Sequence, residues 1–250
     1  MPEVDEIPPR LSEHLRTWLG EWPPRPTGVT VVGHHPRTRP GWDGLLHEVI
    51  GVASTNAALL SVPPEVAHEI AGLVRGKSLE EDLHLLRQGV AKAFDREGRI
   101  GRGRFRWTTN PTPTPDVGEW VPTADPRVPD WLKPFNDEVL ISWADDGTYG
   151  AGVGLKKHDD AGHEISVGTE ESMRGRGIGR RLVATAARQI LDFGAVPTYL
   201  HAFDNYASDK VATASGFDDV GWTVLGFWPL EPDSAEARRY ARFVTAYQQV

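Results

Sequence analysis

The 250-residue chain predicts an α/β fold, an α+β arrangement around a mixed sheet, from three features of its sequence. Short β-like apolar runs alternate with amphipathic helical stripes, glycines and prolines punctuate the runs, and the composition is that of an ordinary soluble globular chain. Hydrophobic residues make up 39% and charged residues 25%, which excludes collagen-like, coiled-coil and largely disordered chains. A chain this long suits one large domain or two modest ones.

The elements follow in order. Residues 1–27 read as a proline-rich arm, with prolines at 2, 8, 9, 23, 24 and 26 around a short amphipathic piece at 11–19. Residues 28–110 read as a small α+β region. Strands are expected at 29–32, 45–53 and 57–62, then a helix at 65–75 with Val66, Ile70, Leu73 and Val74 on one face. Ser78 and Glu81 form a capping box that opens a second helix, whose stripe is Leu79, Leu83, Leu86, Val90 and Phe94. Residues 99–109 alternate, with Arg102, Arg104 and Arg106 on one face, and read as a solvated edge strand. Residues 111–134 carry prolines at 111, 113, 115, 122, 126, 129 and 134 and read as a linker or semi-rigid loop that packs in part through Trp120, Trp131 and Leu132. From 137 the order is β-β-β-α-β-α-β: strands at 139–144, 149–156 and 164–169, a helix at 178–193, a strand at 198–203, a helix at 206–215 and a strand at 221–228. A last helix is expected at 235–247.

Charge and cysteine usage narrow the chemistry. With 35 Asp and Glu against 27 Lys and Arg, the net charge is −8, so no global field draws nucleic acid or an anionic membrane. Any anion must meet a local basic site. There is no cysteine, which excludes thiol catalysis, disulfides and cysteine-bound metal. The opening residues have neither a basic n-region nor an apolar run, and no stretch reaches the ~20 apolar residues of a membrane span, so a cytoplasmic protein is expected. The segment His158-Asp-Asp-Ala-Gly-His163 has turn chemistry and reads as a solvated hairpin turn rather than a metal site; no metal is expected. The nine tryptophans read as packing anchors, those near the proline-rich loop also as walls for an acceptor pocket.

The most informative stretch is 173–181, which stands between a strand and a strong helix. Gly175, Gly177 and Gly179 let the backbone approach a ligand closely just where helix amides are unpaired and the dipole is positive. Arg174, Arg176, Arg180 and Arg181 crowd the same helix start, where cations are disfavoured by ~0.3–1 kcal/mol each. A bound polyphosphate explains them. The glycine spacing does not fit a dinucleotide fingerprint, although Asp204 ends the next strand, and Arg180-Arg181 replaces the Lys-Ser/Thr of a P-loop.

What does fit is R-x-x-G-x-G, read as Arg174-Gly-Arg-Gly177-Ile-Gly179, followed by Asn205-Tyr-Ala-Ser208 and a helix ending in Gly216-Phe217. This pair of motifs, in β-α-β-α order, resembles the GNAT superfamily of N-acetyltransferases over roughly residues 119–230. The resemblance implies a GNAT-like acyltransferase domain at 115–250, preceded by the smaller α+β region, with acetyl-CoA as acyl donor. It implies a strand that splays from its neighbour at Val167, Gly168 and Thr169 to take the pantetheine arm. It places the pyrophosphate on Arg174, Gly175, Arg176, Gly177, Ile178, Gly179 and Arg180, and the sulfur end near Asn205 and Ser208.

The reaction implied is acetyl transfer to a primary amine by direct attack in a ternary complex. The amine must lose a proton, and Glu164 resembles the carboxylate that many relatives use as base, with His163 as a neighbour able to serve instead. A backbone amide within 167–169 is the expected donor to the developing oxyanion. Many relatives carry a Tyr seven residues after the Asn as acid toward the thiolate; here that position is Ala212. Three other functions compete: a non-catalytic acyl-CoA sensor on the same fold, a dinucleotide-dependent enzyme using Asp204, and a nucleic-acid-binding module. The acceptor amine and the oligomeric state are not legible.

Overall fold

The computed structural model describes residues 7–95, 98–135 and 137–229. In chain order the elements are helix α1 (Pro9–Leu19), strands β1 (Gly28–Gly33), β2 (Ile50–Ala53) and β3 (Ala57–Val62), helices α2 (Pro64–Ala71) and α3 (Leu79–Ala93), and strands β4 (Gly98–Trp107), β5 (Glu119–Pro122), β6 (Glu138–Trp143), β7 (Tyr149–Lys157) and β8 (Gly162–Thr169). Helix α4 (Ile178–Asp192), strand β9 (Val196–Ala202), helix α5 (Tyr206–Ala214) and strand β10 (Thr223–Pro229) complete them. The mixed α/β class is as the sequence predicts, and most element bounds from 137 to 229 fall within two residues of those expected. The helix expected at 235–247 lies outside the described residues.

The chain forms two compact units, one of residues up to Phe105 together with the segment from Val220, the other spanning Arg106–Asp219. In the first, the strand order is β1-β3-β2-β10-β4, with β1 and β3 parallel and the other pairs antiparallel. Its core gathers Val29, Leu60, Val62, Ile70, Leu86 and Leu225. Ser78 caps α3 as expected, its hydroxyl accepting from the Glu81 amide at 3.2 Å. Helix α2 ends at Ala71, earlier than its apolar stripe suggested. The reason is Asp82: this buried carboxylate accepts from the amides of Arg75 and Gly76, which holds them in a turn, and from Val29 in β1.

The second unit has the order β9-β8-β7-β6-β5, with β8 and β9 parallel and the rest antiparallel. One sheet face is covered by α4, whose Leu182, Val183, Ala186 and Ile190 pack on Val153, Leu155, Ile165 and Val167. The opposite face is shaped by glycines. A Cβ on Gly152 would lie 2.7 Å from Leu132, and one on Gly154 2.4 Å from the ring of Phe135, so alternate glycines of β7 admit the loop before β6. Residues 111–134 thus hold β5 and the buried Val121, Val128 and Leu132.

The arginine strand departs from its expected solvated edge. β4 pairs with β10 from Gly98 to Arg104, and Arg106 is only 1% exposed. Its guanidinium donates to Thr213 Oγ1 and the Phe217 carbonyl, both at 2.9 Å, and pairs with Asp209. Phe105 and Arg106 are both buried, so strict alternation fails at the end of β4, and the last arginine anchors α5 instead of meeting water.

Candidate functional site

The site begins where β8 and β9 part. They pair in parallel from Gly162–Val196 to Ile165–Tyr199, and the ladder ends there. β8 continues to Thr169 paired with β7 alone, Val167 to Val153, Gly168 to Gly152 and Thr169 to Ala151. β9 meanwhile runs on to Ala202. Two strands that separate in the middle of a sheet leave backbone donors and acceptors on facing edges, and such groups demand partners. The three positions expected to line this gap, Val167, Gly168 and Thr169, stand on the stretch of β8 that pairs with β7 and has no rung with β9. Trp131 lies over Gly168, where a Cβ would come within 2.7 Å of its ring, and Tyr149 donates to the Gly168 carbonyl at 3.1 Å. Burial pushes the Tyr149 phenol up, which keeps it a donor.

The glycine loop follows the open end of β8. A 3-10 turn at Glu171–Met173 leads into Gly175 and Gly177, both in the left-handed region with φ of +75° and +69°. Gly177 is the N-cap of α4 and offers no side chain to its first amides, and the first turn carries no acidic residue. Successive amides in this conformation form an anion-binding concavity at a positive helix end. Arg174, Arg176 and Arg180 are exposed around it; Arg174 Nε donates to the Thr169 carbonyl at 3.2 Å, tying the loop to the end of β8. Ile178 and Gly179 are buried in the first turn, and a Cβ on Gly179 would stand 3.2 Å from Thr169 Oγ1. The loop and the unpaired strand end are therefore one surface.

Helix α5 closes the other side. Asn205 is its N-cap, the side-chain oxygen accepting from the Ser208 amide at 3.0 Å. Ser208 is buried and its Oγ lies 2.8 Å from the hydroxyl of Tyr199, on the last paired rung of β9. At the far end of α5, Ser215 Oγ donates to the Arg180 carbonyl at 3.0 Å, which links the second motif to the loop of the first.

Glu164 stands on β8 one residue before the apex, on the face away from α4, and is 4% exposed. Its Oε1 pairs with Lys156, its cross-strand partner on β7, and Oε2 lies 3.2 Å from His158 Nε2. Burial alone would raise its pKa; the Lys156 charge and the His158 contacts outweigh burial and bring it down to about 2. His158 and His163 are thus not solvated turn residues. The turn itself has its expected chemistry, Asp159 accepting from the amides of Ala161 and Gly162. Among the described residues no cluster of ligating side chains has metal geometry, and no helix is long and apolar enough to cross a membrane.

Sequence reasoning missed the contacts of Lys156 and His158 with Glu164, of Tyr199 with Ser208, of Trp131 with Gly168 and of Arg106 with α5. The first two were within reach. A hairpin turning near 160 sets Lys156 opposite Glu164, and the same arithmetic brings His158 close. The other three contacts join distant segments and leave no local trace. A pocket of about 390 Å³ lined by Val117, Trp120, Leu140 and Arg188 shares no residue with the glycine loop or the splayed strands.

A parallel strand pair that parts ahead of a glycine loop at a helix N-terminus brings open backbone groups and uncapped helix amides onto one surface. A sequence model of the Acetyltransferase (GNAT) family matches residues 104–217, a little under half of the chain. No curated protein matches the chain. Solved structures similar to it include a protein from Novosphingobium aromaticivorans assigned to the GNAT family (19% identity, TM-score 0.43, covering 52% of this chain and 64% of that one). Others are a GNAT-family acetyltransferase from Colwellia psychrerythraea (13%, 0.41, covering 57% and 61%) and a GCN5-related N-acetyltransferase from Kribbella flavida (17%, 0.41, covering 57% and 64%). The chain thus spans less than two thirds of each of these three proteins.

Proposed function

We propose that the second unit transfers an acetyl group from acetyl-CoA to a primary amine by direct attack in a ternary complex. The observation that carries this reading is the end of the β8–β9 ladder at Ile165–Tyr199, directly ahead of the two left-handed glycines at the start of α4. In this reading the pantetheine arm pairs with the edge of Val167, Gly168 and Thr169. The pyrophosphate rests on the amides of 175–180 beside Arg174, Arg176 and Arg180, and Asn205 and Ser208 flank the sulfur end. A backbone amide of 167–169 donates to the oxyanion, which gains from a donor already fixed in place.

Glu164 is the carboxylate nearest the apex and takes the base role together with His158. A carboxyl held near 2 binds a proton weakly, so the proton leaving the amine is stabilised on the Glu164–His158 pair rather than on the carboxylate alone. The face carrying Glu164 is also the one that Trp131, Leu132 and Phe135 cover, and this fits an acceptor pocket with aromatic walls.

Release of free CoA thiol, measured with acetyl-CoA and a panel of small amines, peptide N-termini and lysine peptides, tests the reading. Amine-dependent release supports it. Binding of acetyl-CoA without release from any acceptor favours the acyl-CoA sensor, a reading to which the locked Glu164 and the donor-free Ala212 also lend weight.

A further inference from the structure

Tyr149 touches the end of β8 from its far side and has no task in the reaction above. Which backbone groups of β8 face the gap follows from its ladder with β7. The Glu170 amide donates to the Gly150 carbonyl at 2.9 Å, and Gly168 stands opposite Gly152. Along a strand, successive residues turn their N–H and C=O groups to opposite edges. Gly168 and Glu170 therefore turn theirs toward β7, and Val167 and Thr169 turn theirs toward the gap. The Thr169 carbonyl agrees with this parity, since it accepts from Arg174 Nε on the loop side at 3.2 Å. Two amides of the 167–169 segment thus face the gap, that of Val167 nearer the apex and that of Thr169 nearer the glycine loop.

The Thr169 N–H and the Gly168 C=O belong to one peptide group. In a trans peptide the two bonds point to opposite sides of one rigid plane. A donor to the carbonyl on the β7 side therefore fixes the direction of the N–H on the gap side and polarises it. Tyr149 is that donor, its hydroxyl 3.1 Å from the Gly168 carbonyl oxygen. A carbonyl can only accept, so the direction of this bond is settled. Burial pushes the phenol up, and the proton stays on it. The indole N–H of Trp131 bears on the same hydroxyl, and its ring lies so close over Gly168 that a Cβ there would come within 2.7 Å. That ring is in turn held edge-on by Phe135, with centroids 6.0 Å apart. With Arg174 on the next carbonyl, Thr169 is clamped on both of its peptide groups.

Resting on the acyl-CoA reading, we propose that Tyr149 is a positioning residue for the pantetheine arm, aiming the Thr169 N–H at a carbonyl of the arm through the Gly168–Thr169 peptide. It works from the β7 side of the strand, through the backbone. The amides of the glycine loop need no such support, because Gly175 and Gly177 set their direction. The clamp therefore acts on one half of the ligand, the arm, and leaves the pyrophosphate to the loop.

Titration calorimetry with CoA and with phospho-ADP, the nucleotide half of CoA cut after its pyrophosphate, separates the two halves without an acceptor amine. The wild type is expected to bind both. Tyr149→Phe keeps the ring and loses only the hydroxyl. This variant is expected to bind phospho-ADP as the wild type does, which also reports a folded site. It should bind CoA about three- to tenfold more weakly, the size of one neutral hydrogen bond. In the ligand-free variant the amide proton resonance of Thr169 is expected to move upfield, a sign of lost polarisation that packing alone does not produce while the ring remains. Unchanged CoA affinity, an unmoved Thr169 resonance, or an equal loss of CoA and phospho-ADP overturns the proposal and leaves the acyl-CoA reading intact. Failure of the wild type to bind CoA overturns both.

Discussion

Replacing Gly177 with Val isolates the role of the glycine loop. Gly177 holds φ at +69° as the N-cap of α4, and an L-residue in this region costs about 1–2 kcal/mol, more for a β-branched side chain. The nearest obstacle to the new Cβ is Arg180 Nε at 3.0 Å, the mobile end of a long side chain, so sterics alone do not decide the outcome. The backbone does. Either the loop keeps its shape and the protein loses that stability, or the peptide turns and the amides aimed at the anion are redirected. Each amide–phosphate bond lost is worth about 1.5–3 kcal/mol, a ten- to hundredfold fall in affinity. Calorimetry with CoA is the assay. Gly177→Asn is the control, because Asn tolerates the left-handed region and should retain most of the affinity. A Val variant that keeps both wild-type affinity and wild-type stability, the latter read from its melting curve, would refute the reasoning.

Three further outcomes are expected. Glu164→Gln removes a carboxylate whose folded pKa, about 2, lies below its ordinary 4.5, so its contribution is fully present above 4.5 and is lost as pH falls toward 2. Chemical denaturation should show a variant less stable by roughly 3 kcal/mol at neutral pH, a gap that closes in acid; a gap independent of pH would contradict the ion-pair account. Arg106→Met removes the guanidinium that Asp209 and the Phe217 carbonyl share and should fall near the low end of the ~3–5 kcal/mol of a broken buried pair, because Asp209 is 38% exposed. A melting curve reads the loss, and an unchanged midpoint would show that α5 does not depend on this anchor. Ser78→Ala removes the cap of α3 and should cost ~1 kcal/mol, about 2–4 °C in midpoint, with no effect on CoA affinity.

Local chemistry was legible in the sequence wherever a short segment decided its own shape. The Ser78 cap, the alternating strands of 139–169 and the apolar stripe of α4 are of this kind. So is the glycine loop, since Gly175 and Gly177 adopt the positive φ that only their residue type takes cheaply. Arg106 was misread because a charged residue at alternating spacing looks solvated; nothing within β4 announces that Asp209, Thr213 and the Phe217 carbonyl will converge on it from a hundred residues away. Glu164 was legible as a position but not as a state. Its depressed pKa depends on Lys156 and His158, which only the hairpin register brings to it. The Tyr199–Ser208 contact requires both the packing of α5 on β9 and the end of the β8–β9 ladder, and neither follows from periodicity.

The central claim, that the parted strands and glycine loop hold an acyl-CoA, is tested most directly by thermal unfolding with acetyl-CoA, CoA and NAD in parallel. A ligand at a hundred times its dissociation constant stabilises by ~2.7 kcal/mol, roughly 5–10 °C for a chain of this size. The account predicts a shift of that order with both CoA species and none with NAD. A shift with NAD alone, or no shift with either CoA species, would contradict it.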